Sequence, residues 1–96
     1  ISLMDAERAV PGWELGIEMA PDVRQQGYAR EALAAVIQAF FEKTDTVLFT
    51  GGHYAYNTIS GELLKKLGFT YEGIEYKAMR HAERGPTDLV RYYLEK

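Results

Sequence analysis

Two periodicities organise this chain. Trp13-Glu14-Leu15-Gly16-Ile17-Glu18-Met19 alternates apolar and non-apolar residues with a period of two. That predicts a strand with Trp13, Leu15, Ile17 and Met19 on one face and Glu14, Gly16 and Glu18 on the other. Ala29, Ala32, Leu33, Val36, Ile37 and Phe40 recur at intervals of three and four, the apolar stripe of a helix from about Ala29 to Glu42. Val47-Leu48-Phe49 reads as the next strand. A second helix is predicted to start at Asn57, a favoured N-cap residue, and to stop at Gly68. It turns Ile59, Leu63, Leu64 and Leu67 inward, while Lys65 and Lys66 complement the dipole of its last turn. Gly61 is costly inside a helix, which points to close packing against a strand or a ligand. Thr70 to Arg80 and Thr87 to Leu94 suggest two further strands, joined by the turn Glu83-Arg84-Gly85-Pro86.

Between the first strand and the first helix lies Val23-Arg24-Gln25-Gln26-Gly27-Tyr28-Ala29. A strand that feeds through a glycine-containing loop into a helix leaves several N–H groups unpaired at the positive end of the helix dipole. Such a turn is a natural pyrophosphate cradle. The chain has neither G-x-x-x-x-G-K-[ST] nor G-x-G-x-x-G, so the P-loop and the dinucleotide fingerprint are both excluded. Gly16 within a strand marks a bulge or a close backbone approach. A bulge there would splay the strand from a parallel neighbour near Val47–Phe49 and open a slot for an elongated ligand.

Composition narrows the classes. A net charge of −3 with scattered basic residues carries no nucleic-acid footprint. Without cysteine there is no disulfide, thiolate zinc site or cysteine nucleophile. His53 and His81 alone do not suggest a metal site. The apolar runs fall short of the roughly 20 residues that span a bilayer, and no leader opens the chain, so no membrane partner and a cytoplasmic location are expected. No repeat or linker appears, which makes residues 1–96 one domain. At this length only about 60–65% of the unfolded surface is buried, a marginal core.

Arg24-x-x-Gly27-x-Ala29 resembles the [Q/R]-x-x-G-x-[G/A] loop of the GNAT superfamily of N-acetyltransferases. Glu14-Leu15-Gly16-Ile17 through Ala20-Pro21 looks like that family's central strand. Asn57-Thr58-Ile59-Ser60 through Lys66-Leu67-Gly68-Phe69 resembles its N-x-x-[A/S]…K-L-G-F segment. The ordered combination covers nearly the whole chain. Ser60, with Leu64 where many members carry tyrosine, is closer to the ribosomal-protein-alanine acetyltransferase branch. The implied fold is α/β (α+β): a mixed, partly antiparallel sheet with two main helices, lacking the first strands and helices of the full domain. Ile1–Met4 would be its third strand and Asp5 to Gly12 the hairpin leading into Trp13. The chain looks like the C-terminal two-thirds of an acetyltransferase.

The resemblance implies acetyl-coenzyme A as cofactor and an amine acceptor, either a small molecule or a protein N-terminus. Backbone N–H groups of Gln25, Gln26, Gly27, Tyr28 and Ala29 would grip the pyrophosphate, with Arg24 adding charge. The backbone of Met19 would bond the pantetheine and the thioester oxygen, and Asn57 the pantetheine arm. Positioning supplies most of the rate in such a transfer, roughly 7–11 kcal/mol. Glu14 is the candidate base, with Glu18 second. His53 is a further candidate, or a solvent-exposed loop histidine. Ser60 is the candidate general acid or a serine capping its own helix, with Tyr54 and Tyr56 nearby. A cofactor-binding remnant without turnover and an oligomeric interaction module remain the competing readings. A homodimer or higher oligomer is expected, through an uncapped Ile1–Met4 edge or exchange of the C-terminal hairpin, the alternative being a monomer with Ile1–Glu7 disordered.

Overall fold

The predicted strand is present from Gly12 to Gly16, next to the centre of a five-stranded sheet, and its expected continuation to Met19 lies outside the described residues. The computed structural model describes residues 2–16 and 23–96, with the backbone path alone at 23–26. In chain order the elements are β1 (Ser2–Asp5), β2 (Gly12–Gly16), α1 (Val23–Lys43), β3 (Leu48–Tyr54), α2 (Thr58–Lys66), β4 (Thr70–His81) and β5 (Gly85–Glu95). Across the sheet the order is β1-β2-β3-β5-β4. Only β2 and β3 run parallel, with Gly12 opposite Leu48 and Leu15 opposite Gly51. Parallel neighbours need a crossover, and α1 supplies it. The other three pairings are antiparallel, so the expected mixed sheet with two helices is present.

Residues opposite one another in a ladder share a face of the sheet. Trp13 lies opposite Phe49, and Phe49 opposite Leu94; these face the helices. Phe40 meets Trp13 edge-on with ring centres 5.9 Å apart, and Phe41 meets Phe49 at 5.2 Å. With Leu15, Leu33, Ile37, Leu63, Leu64, Phe69 and Tyr92 they form the core. Ala32 and Val36, expected in the buried stripe, are exposed. They sit one residue, about 100°, round the helix from Leu33 and Ile37, and the stripe that touches the sheet is narrower than the pattern implied.

Two glycines let α2 lie close on β3. A Cβ on Gly51 would stand 2.9 Å from Leu64 Cδ2, and one on Gly61 2.7 Å from His53 Nε2. Gly61 therefore packs against a strand. Asn57 caps α2 by accepting the Ser60 N–H at 3.3 Å, and Gly68 ends the helix with φ +94°, a conformation that favours glycine. Gly16 is the predicted close approach as well: a Cβ there would run into Ser2 Oγ on β1. The expected splay of the strand beyond it falls at residues 17–20, outside the described residues. The last turn is Ala82–Arg84, with Gly85 and Pro86 already in β5.

Candidate active site

α1 begins at Val23, six residues before the expected start at Ala29, so Arg24-x-x-Gly27-x-Ala29 is wound into its first two turns. The unpaired N–H groups of a helix lie in its first turn, which holds Arg24 and Gln25. Gly27 and Tyr28 follow in the second turn and are exposed, Tyr28 at 77%. A Cβ added to Gly27 would meet nothing within 4 Å. Gly27 has no positive φ, and glycine inside a helix costs about 0.5–1 kcal/mol relative to alanine. Among the described residues there is therefore no internal reason for glycine here. Met19 and the second candidate base Glu18 lie outside the described residues, as do the side chains of Arg24, Gln25 and Gln26.

Asn57 and Ser60 stand together at the start of α2. Ser60 is fully buried and does not cap its helix; Asn57 does. Among the described residues the Ser60 hydroxyl has no hydrogen-bond partner. Glu14 lies on the other side of the sheet. It sits opposite Thr50 in the parallel ladder, on the face away from Leu15 and both helices, and Arg91 Nη2 donates to its Oε1 at 2.6 Å. Thr50, fully buried between Glu14 and Tyr93 in the two ladders, also has a hydroxyl without a partner. The sheet thus separates the two candidate catalytic residues, Glu14 and Ser60.

The helix-free face carries a charge network that patterning along the chain did not show. Arg91 approaches Glu75 at 3.7 Å besides holding Glu14. Arg8, in the β1–β2 loop, makes a two-pronged bond to Glu72 on β4 at 3.0 and 2.8 Å. That bond, with the charges of Arg8 and Arg91, holds the Glu72 carboxyl below its usual range; the same bond and nearby Glu14 raise Arg8. Arg8, Glu72, Gly73, Ile74, Glu75 and Arg91 line an open groove of about 450 Å³. The signal for Arg91 was its alternation with Val90 and Tyr92, which places it on Glu14's face once the strand order is known.

The aromatic and histidine candidates separate. His53 is not a loop residue: it lies in β3, half-buried and stacked on Tyr92 with ring centres 5.6 Å apart. Its Nε2 is 3.3 Å from the Tyr92 hydroxyl. Tyr54 and Tyr56 stack on each other at 5.4 Å, both edge-on to His81, and the Arg84 guanidinium caps Tyr56 at 3.9 Å. Among the described residues no cluster of three metal-ligating side chains occurs. No described helix is long and apolar enough to cross a membrane.

Residues 1–70, which carry every element from β1 to α2, match the family model of the acetyltransferase (GNAT) domain. The chain belongs to the GNAT acetyltransferase family. It is similar to a GNAT-family acetyltransferase from Bacillus anthracis, at 25% identity and a TM-score of 0.76, over 88% of this chain and 50% of that one. A ribosomal-protein-S5-alanine acetyltransferase from Vibrio fischeri shares the fold at 19% identity and a TM-score of 0.77, over 88% and 45%. A GCN5-related N-acetyltransferase from Brucella melitensis does so at 23% and 0.81, over 98% and 42%. The chain thus spans about half the length of these solved GNAT proteins. No curated protein matches it.

Proposed function

We propose that this GNAT domain takes part in acetyl-coenzyme A-dependent transfer of an acetyl group to a primary amine, on a small molecule or a protein N-terminus. The observation that carries the reading is Gly27: a helical glycine, open to solvent, at the end of α1 where the family motif falls. A missing side chain whose space none of the described residues fills suits a phosphate drawn against the helix N-terminus. The residues present fit the cofactor on that ground. The unpaired N–H groups of the first turn of α1 would hold its pyrophosphate, with Gly27 leaving room beside them and Arg24 adding charge, and Met19 and Asn57 would hold its pantetheine arm. When bound, it supplies an activated acetyl thioester. Glu14 would take the proton from the acceptor ammonium through a water; with the sheet between Glu14 and Ser60, only one of the two can face the reacting carbon directly, and the Ser60 hydroxyl is the candidate donor to the departing thiolate. The reading is completed by a cytoplasmic location and a homodimer joined at an open sheet edge.

A cofactor-binding domain without turnover is the second reading, and the Arg91–Glu14 bond favours it, because that bond occupies one carboxylate oxygen. Calorimetric titration with coenzyme A decides first. At 100 times its dissociation constant the cofactor adds about 2.7 kcal/mol of stability. Gly27→Val should remove binding and leave the unliganded melting curve unchanged. Undiminished affinity in that variant would reject the site. Binding by the native chain without acetylation of any amine in a broad panel would select the second reading.

A further inference from the structure

On the helix-free face Arg91 has glycine on both sides: its ladder neighbours are Gly52 on β3 and Gly73 on β4. Side chains opposite one another in a ladder normally support each other, and here neither neighbour can. A Cβ on Gly73 would meet nothing within 4 Å, so the floor of the groove is bare beside Arg91. Charge is what holds the guanidinium. It reaches over β3 to Glu14 on β2, Nη2 to Oε1 at 2.6 Å, while Nη1 stands 3.7 Å from Glu75 Oε2 on β4.

The two contacts are unequal. The side chains of Arg91 and Glu14 are 22% and 26% exposed, that of Glu75 55%. A short, charge-assisted bond between shielded groups is the strong kind, and it fixes where the Glu14 carboxylate sits. Glu14 also has another donor beside it. Its ladder neighbour Thr50 has a buried hydroxyl without a partner among the described residues, to which a released carboxylate could turn. We propose that Arg91 is the positioning residue for Glu14. It holds the carboxylate by Oε1 and leaves Oε2, unengaged among the described residues, as the oxygen that takes the proton. The proposal rests on the acetyl-transfer reading above, and makes the Arg91–Glu14 bond a part of that transfer instead of a sign of its loss.

A double-mutant cycle with Glu14 tests it. The substrates are acetyl-coenzyme A and the primary amine of the panel that the native chain acetylates fastest, and the readout is release of the free thiol. Arg91→Met should lower kcat about tenfold or more and leave the KM for acetyl-coenzyme A unchanged. Arg91→Lys, a shorter point charge, should recover part of the loss. In a Glu14→Gln background the same changes at Arg91 should alter kcat by less than about twofold. Circular-dichroism melts report folding, and if Arg91→Met does not fold, Arg91→Lys in the two backgrounds makes the comparison. A native chain that acetylates no amine would overturn the acetyl-transfer reading, and this role with it. An active native chain in which the Arg91 changes cost nothing, or cost the same with and without the Glu14 carboxylate, would overturn the Arg91 role alone, since a merely structural part weakens both backgrounds alike.

Discussion

Glu14 shows how far a single side chain can be read from its neighbours in sequence. Alternation put it opposite Leu15, and the structure keeps it there, half-buried on the helix-free face. Arg91 lies 77 residues away, and no spacing along the chain announces it. Only the insertion of β5 beside β3 brings the two together. If Glu14 accepts the ammonium proton, Glu14→Gln should lower turnover at neutral pH and recover in part as the pH rises and the amine loses its own proton. Equal activity of native and variant proteins from about pH 6 to about pH 9 would remove Glu14 from the mechanism. The effect of Ser60→Ala should be smaller, since a coenzyme A thiolate is a tolerable leaving group.

At the scale of elements, α2 was legible almost to the residue, because its N-cap, its inward leucines and its closing glycine are local signals that agree. The start of α1 was not. Gly27 and Tyr28 in its second turn are exposed, and exposed positions leave no apolar period to read. β3 also ran longer than expected, because Gly51-Gly52 suggests an end to a strand. The ladder continues instead through His53 opposite Val90 and Tyr54 opposite Leu89, and Gly51 is the gap that admits Leu64. The contact of α2 with β3 depends on the matching absence at Gly61. Gly61→Val should cost about 1–3 kcal/mol through overpacking on His53, despite the better helix propensity of valine. Urea unfolding measures this, and a neutral outcome would mean that the two elements can move apart freely.

Across the whole molecule, Arg8 links the β1–β2 loop to Glu72 on β4, the opposite edge of the sheet. The Glu72 carboxyl is held below its usual range by that bond, so the folded state binds its proton less readily than the unfolded chain. The stabilisation is therefore complete above the ordinary glutamate range, and disappears as the pH falls through the lowered folded value. Both side chains are 34% exposed, so solvent screening keeps the contribution below about 1 kcal/mol. Glu72→Gln should be less stable than the native chain at neutral pH, and the difference should shrink as the pH falls through the ordinary glutamate range and below it. A difference that persists in acid would assign the loss to packing.

The last strand in sequence is fourth of five in space. β5 lies between β3 and β4, so until residues 85–95 exist β3 has one bare side, and the early elements β1, β2, α1 and β3 face the crowded cell as an unfinished sheet. Assembly must then end with a ready-made β4–β5 hairpin docking on a waiting strand, the step with the greatest span along the chain and the slowest to search. Pulse-labelled hydrogen exchange during refolding should find the amides of β4 and β5 protected among themselves before those that join β3 to β5. Simultaneous protection of both ladders would show instead that the sheet condenses at once. Chaperone dependence during synthesis would be a consequence of topology, written into the order in which the strands are made.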